Sequence, residues 1–179
     1  MSAQKVIFID DDRVNFCPGG FRRRIIEKWA QKKGIEVIFL LTEEEVINFH
    51  LDPTQYGKVD LVAHDWDLST LSMESGTPSF STEWSITHLV SLGIPVSVFT
   101  SSERNIVRTA LDSIAHELTY ETKTFLVQDC KVSPAKTVFH APTLKKLLKV
   151  AIFEKGEIEL LLSFAQNSAY KAIYEVAVN

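Results

Sequence analysis

Three short apolar runs in this chain break off abruptly at oxygen-bearing side chains, and that recurrence constrains the fold more than any other feature. Residues 5–10 (KVIFID) run into Asp11 and Asp12, residues 59–64 (VDLVAH) into Asp65 and Asp67, and residues 95–99 (PVSVF) into Thr100, Ser101 and Ser102. A strand that is apolar on both of its alternating faces must be covered on both sides, which is how inner strands of a parallel sheet read. Residues 35–41 (IEVIFLL) add a fourth run of the same character. Stretches of helical spacing separate them. Phe21, Ile25, Ile26 and Trp29 recur up to Lys33, and Gly34 stands where a C-cap glycine belongs. Thr42 before Glu43, Glu44 and Glu45 reads as an N-cap with first-turn acids, leading a helix through Val46, Ile47 and Phe49. Helices are also predicted over residues 83–92, burying Trp84, Ile86, Leu89 and Val90, and over residues 103–118, with Ile106, Val107, Ala110, Leu111 and Ile114 on one face.

Such alternation argues for an α/β chain, a doubly wound five-stranded parallel sheet with helices on both faces. The fifth core strand is placed within residues 131–139, ahead of Pro142 and a helix through Leu144, Leu147, Leu148 and Ala151. Residues 124–127 also have strand character, and residues 69–81, rich in Ser, Thr and Gly, read as a loop. A helix over residues 157–178, with Ile158, Leu161, Leu162, Phe164 and Ile173, exceeds what five strand-helix units need. The expected division is therefore a domain over residues 1–152 and a C-terminal helical extension over residues 153–179. That extension either covers the domain, the favoured reading, or pairs two copies as a homodimer.

Composition narrows the function classes. The chain has 179 residues, 45% of them hydrophobic and 23% charged, enough to bury one core and too short for two full domains. A formal net charge of -4 does not supply the basic surface that nucleic acid requires. The cluster Arg22, Arg23, Arg24, Lys28, Lys32 and Lys33 is read as a solvated helix face. Cys17 and Cys130 have neither metal spacing nor a partner framework, so a reducing cytoplasm is expected. No signal peptide and no run long enough to span a bilayer is present, so no membrane association is expected.

In doubly wound sheets, ligands bind outside the carboxyl ends of the strands, near the point where strand order reverses. Asp10, Asp11, Asp12, Asp65, Asp67 and Thr100 all fall at such ends, with Lys136 near the expected fifth. Carboxylates gathered on one edge repel one another unless a cation neutralises them. An oxygen-rich site of this kind suits magnesium, which also accepts a phosphate oxygen; the spaced loop of a calcium-binding EF-hand is missing. A carboxylate beside magnesium can attack phosphorus to form an acyl phosphate. Taken singly these residues say less: an acidic strand end can be loop solvation, Thr100 or its Ser neighbours can cap a helix, and Lys136 alone carries no signal.

Together, the runs KVIFIDDD, VDLVAHDWDLS, GIPVSVFTSS and AKTVFHAPTLKKLL resemble the four signature regions of response-regulator receiver domains, over residues 4–152. The resemblance implies a flavodoxin-like receiver fold in which Asp65 accepts a phosphoryl group and Asp10, Asp11, Asp65 and the backbone carbonyl of Asp67 hold Mg2+. Thr100 then matches the switch hydroxyl and Lys136 the phosphate-binding lysine. The aromatic switch residue falls to Phe139 or Tyr120. It further implies two-component signalling with a sensor histidine kinase or phosphotransfer protein upstream, an unnamed protein downstream, and no catalysis beyond self-phosphorylation and self-dephosphorylation. Departures are the sequence Lys136-Thr137-Val138 where the family has Lys-Pro-Phe, and a long stretch between Thr100 and Lys136. Two alternatives stay open: a degenerate receiver that only binds protein, and a haloacid dehalogenase-like phosphatase with Asp10 as nucleophile, Asp12 and Val14 completing its motif. His116 is read as a solvent-facing helix residue, and His64 as packed against the core with scope to tune Asp65.

Overall fold

The computed structural model describes residues 3–68, 82–117, 122–128, 131–137 and 145–167, with backbone alone at residues 117, 122–128 and 131–137. The first strand, β1 (Gln4–Ile9), leads through a short helix α1 (Arg13–Phe16) into α2 (Phe21–Lys33). Gly20 is required between them, because a Cβ there would sit 2.4 Å from the Asn15 carbonyl oxygen. At the far end Gly34, at φ 67°, takes the left-handed conformation that glycine adopts without steric cost, and its N–H caps Ala30 and Gln31 carbonyls. Strand β2 (Ile35–Leu40) follows, then α3 (Glu43–Leu51), opened by the capping box that Thr42 and Glu45 form with each other's backbone N–H. A 3-10 turn at Pro53–Tyr56 leads to β3 (Leu61–His64), buried throughout. Next come α4 (Thr82–Ser91), β4 (Val96–Thr100) and α5 (Arg104–Glu117), which buries Val107, Leu111 and Ala115 but leaves Ile106 exposed.

Sequence and structure part after α5. Residues 122–128 and 131–137 form an antiparallel hairpin, β5 (Thr122–Gln128) and β6 (Lys131–Thr137), that is a separate two-stranded sheet. The expected fifth core strand is therefore corrected: β7 (Ala151–Glu154) takes that place, parallel to β4. Ala151, expected in a helix, begins this strand; helix is present at residues 145–147, and Pro142 and Leu144 lie outside the described residues. The physical reason lies in composition. KVSPAKT carries two lysines, a serine and a proline in seven residues, too polar for a strand whose two faces are covered, even at the sheet edge where β7 pairs with β4 alone. AIFE is shorter but apolar, and β4 with its flanking helix encloses it.

The main sheet is all parallel, in the order β2-β1-β3-β4-β7. The last helix, α6 (Ile158–Ala165), buries Ile158, Leu161, Leu162 and Ala165 and packs on α2 and β1, covering the same side of the sheet as α2. It is the helix of the fifth strand-helix unit. The division expected at residue 152 thus cuts through β7, and the helical extension is part of the main layer as far as residue 165. Phe8 anchors the core, stacked on Phe39 at 5.3 Å between centroids and edge-on to Phe99 at 5.7 Å.

Candidate functional site

Strand order reverses between β1 and β3, since β2 lies beyond one and β4 beyond the other. Their register pairs Ile9 with His64, and the Asp65 N–H continues the ladder to the Ile9 carbonyl at 2.8 Å. Asp10 N–H reaches the Leu40 carbonyl at 3.2 Å on the other side. Backbone pairing therefore sets Asp10 and Asp65 side by side at the opening of the sheet. Asp10, Asp11 and Asp65 each offer a carboxylate oxygen within 4.8 Å of the others.

The counter-charge is Lys155, the residue after β7. Its N–H donates to the Thr100 carbonyl at 3.0 Å, which carries the β4–β7 pairing one step further and directs the side chain across the sheet edge. The ammonium donates to Asp10 Oδ2 and lies 3.6 Å from Asp65 Oδ1, above the rings of Phe16 and Phe99 at 5.0 and 4.7 Å. Arg22 Nη1 donates to the Lys155 carbonyl at 2.8 Å, and its Nε is buried without a partner among the described residues. Asp10, Asp11, Asp12, Arg22, Asp65, Asp67, Ser101 and Lys155 line a cavity of about 190 Å³.

Three of the aspartates lining this cavity differ in their electrostatics. Burial raises the Asp10 carboxyl above its ordinary value against the pull of Lys155. Asp65 is pushed up to about 7, by burial and then by the charge of Asp10, with Lys155 opposing. Asp12 goes the other way: burial favours a rise, but hydrogen bonds from the Asn15 side chain and backbone and the charge of Lys155 outweigh it. Asp12 is thereby committed to capping α1, with Asn15 Nδ2 at 2.7 Å and Asn15 N at 3.1 Å. Asp65 Oδ1 accepts the Trp66 N–H at 2.9 Å, while no hydrogen bond reaches Oδ2 from the described residues.

The sequence-derived site is thus brought together at Asp10, Asp11, Asp65 and Asp67. Thr100 is buried at the end of β4, its hydroxyl accepting from the Ser102 N–H at 2.9 Å, and the cavity is lined instead by Ser101. Lys136 is not brought there: it lies on the hairpin, in register with Lys123, and the lysine at the carboxylates is Lys155. Phe139 and Tyr120 lie outside the described residues, as does the loop expected over residues 69–81. Sequence reasoning missed Lys155 and Arg22. The signal for Lys155 was an apolar run, residues 150–153, stopping at charge before Gly156, the same pattern that marked the other strand ends. Arg22, assigned to a solvated face with Arg23 and Arg24, is half-buried and reaches the Lys155 carbonyl at the sheet edge.

The residues present fit a divalent cation. The donors are hard carboxylate oxygens, no imidazole or thiolate joins them in the cavity lining, and one lysine does not offset three closely spaced carboxyls. Among the described residues no helix is long and apolar enough to cross a membrane.

Neither a protein-family model nor a curated protein sequence matches the chain. Solved structures do. A chimera carrying a trimeric coiled-coil segment of yeast Spc42 fused to another protein is 14% identical with a TM-score of 0.53, over 100% of this chain and 84% of that one. The N-terminal domain of a response regulator/sensory box/GGDEF protein from Carboxydothermus hydrogenoformans is also 14% identical, with a TM-score of 0.50, over 98% of this chain and all of that domain. The receiver domain of the Francisella response regulator 1452 gives a TM-score of 0.48 at 14% identity, over 96% and 97% of the two chains. The fold is that of response-regulator receiver domains, five parallel strands with helices on both faces.

Proposed function

We propose that this chain is a phosphorylatable receiver domain of two-component signalling, with Asp65 as the phosphoryl acceptor. One observation carries the reading: Asp65 stands at the strand-order reversal beside Asp10, Asp11 and Lys155, with its Oδ2 bearing no hydrogen bond from the described residues. Asp10 is the weaker nucleophile, because Asp12 N–H holds its Oδ1 at 2.9 Å and Lys155 its Oδ2. That difference favours a receiver over a phosphatase using Asp10.

Asp10, Asp11, Asp65 and the Asp67 carbonyl are the groups that would hold Mg2+, whose contribution is to neutralise charge on the phosphoryl oxygens. In the transfer, an Asp65 oxygen forms a bond to phosphorus as the bond from phosphorus to the donor's imidazole nitrogen breaks. The imidazole leaves with the electron pair and takes a proton from solvent. Lys155 is close enough to follow the charge from Asp10 to a phosphoryl oxygen, the role the sequence reading gave to Lys136. A histidine kinase or phosphotransfer protein upstream, a cytoplasmic setting and an output by protein contact belong to the same proposal.

Incubation with magnesium and a small acyl phosphate, followed by borohydride trapping and peptide mass spectrometry, tests it. The expected label is at Asp65, lost in Asp65→Asn. A label at Asp10 would establish the phosphatase-like chemistry instead, and no label with no magnesium binding would leave a degenerate receiver.

A further inference from the structure

On the side of β3 away from Lys155, four polar side chains form one continuous line. His64 Nδ1 lies 2.6 Å from the carbonyl oxygen of Asp65, and His64 Nε2 lies 2.7 Å from Ser85 Oγ. Ser85 Oγ is also 2.7 Å from His50 Nε2, and His50 Nδ1 is 2.8 Å from His88 Nδ1. His64 and Ser85 are wholly buried, His50 nearly so, and His88 is partly exposed, its ring stacked on Trp84 at 4.9 Å. Three secondary-structure elements contribute: β3 gives His64, α3 gives His50, and α4 gives Ser85 and His88.

The protons in this line have only one arrangement. A carbonyl oxygen only accepts, so His64 Nδ1 carries a hydrogen; a buried imidazole without a facing carboxylate is neutral, so its Nε2 is bare. Ser85 must then donate its single hydrogen to His64 Nε2 and accept from His50 Nε2. His50 Nδ1 is left bare and accepts from His88 Nδ1. Every donor points the same way, from the partly exposed ring of His88 toward the peptide of Asp65. A polar cluster serving only to satisfy itself has no reason to end on the carbonyl of the residue whose side chain faces the carboxylate cavity.

We propose that Ser85 and His64 are positioning residues for Asp65, forming with His50 and His88 a one-directional hydrogen-bond relay that ties the Asp65 peptide to helices α3 and α4. The Asp65 N–H is fixed by Ile9 of β1 and its carbonyl by His64, so the peptide is gripped from both sides of the strand. The relay also gives α4 a route to the acceptor that does not pass through Thr100 or β4: a shift of α4 loosens the Asp65 carbonyl, and a change at Asp65 reaches His88. This rests on the proposed role of Asp65 only for its consequence, since the relay itself is present in the free protein.

Two-dimensional NMR of imidazole nitrogens in the free protein reads the relay directly. His64 is expected with hydrogen on Nδ1, His50 on Nε2 and His88 on Nδ1. Ser85→Ala should shift the Asp65 and Trp66 amide resonances and weaken magnesium binding by roughly 10-fold, the scale of losing a supporting hydrogen bond around a metal site. Ser85→Thr, which keeps the hydroxyl, should restore both. His88→Ala, at the partly exposed end where folding is least at risk, should leave the hydrogen on Nε2 of His50 and on Nδ1 of His64, since both are set from the Asp65 carbonyl inward. Hydrogen on Nε2 of His64 in the wild type, or Asp65 and Trp66 amides unmoved in a folded Ser85→Ala protein, overturns the relay. A wild type that shows the predicted tautomers and amide shifts yet binds no magnesium supports the relay and overturns the proposed function.

Discussion

His64 and Asp65 are neighbours in the chain and both are buried, yet the two sides of the β3 end handle burial in opposite ways. On the His64 side, three imidazoles and a hydroxyl share their hydrogens so completely that no charge is needed. On the Asp65 side, three carboxylates meet one ammonium, and burial presses Asp10 and Asp65 toward their neutral forms. A satisfied network holds its geometry without help, whereas an uncompensated cluster changes state when a cation or a phosphoryl group arrives. The pairing of the two suggests a division of work along one strand end: one residue holds the backbone, the next does the responding.

Experiments can break that comparison at several strengths. The largest effect is expected from Asp65→Asn, which should eliminate phosphoryl incorporation altogether, measured by intact-protein mass spectrometry, while leaving the tautomer pattern of His64 in place. Lys155→Met should come next. Removing the one cation from two buried carboxylates should cost roughly 3 kcal/mol in denaturant unfolding at alkaline pH without magnesium, and added magnesium should return part of it. Ser85→Ala strands the bare nitrogen of His64 and the hydrogen of His50, for an expected loss of about 1–3 kcal/mol that magnesium does not return. A Ser85→Ala loss that magnesium fully repairs would mean the two sides are one network.

The gentlest lever is pH, and the two sides carry opposite signs. Asp65 titrates at about 7 in the folded chain against an ordinary 3.8, so the native state holds its proton more tightly than the unfolded one. Its contribution is complete below pH 4 and is lost as pH rises through 7. His64 is pushed by burial down to about 4 from 6.5, so its contribution is present above 6.5 and is lost as pH falls through 4, and burial lowers His50 in the same direction. Each single group changes stability by no more than about 1.4 kcal/mol per pH unit. In metal-free protein the slopes oppose one another between pH 4 and 6.5, and Asp65→Asn should convert a flat profile into one that rises with pH. An unchanged profile in that variant would remove the assigned burial of charge at Asp65.

The first four strands, three inner and β2 at one edge, and the acidic end of the sheet were readable because each run is largely apolar and stops at a polar side chain, a pattern that cover on both faces imposes. Asp10, Asp11, Asp65 and Asp67 followed from topology alone, since parallel strands share one carboxyl edge. The fifth strand was not readable from strand propensity, because a hairpin meets the same local preference as a core strand. Composition was the discriminating signal: Lys131, Ser133, Pro134 and Lys136 make the run too polar for a strand covered on both faces, and a two-stranded sheet accommodates them. With the strand misplaced, its lysine was misplaced too, and Lys136 stood in for Lys155. The relay through His50, Ser85 and His88 has no linear signature, since its members are separated by 38 and 21 positions and meet only when α3 and α4 dock on β3.

The hairpin inserted before β7 has a temporal consequence for a chain made from its N-terminus. As the polypeptide leaves the ribosome, both principal carboxylates emerge well before the ammonium that faces them, with the whole of β5 and β6 synthesised in between. During that interval Asp10 and Asp65 have no lysine to lean on, so water has to solvate both carboxylates until β7 carries Lys155 across the sheet edge.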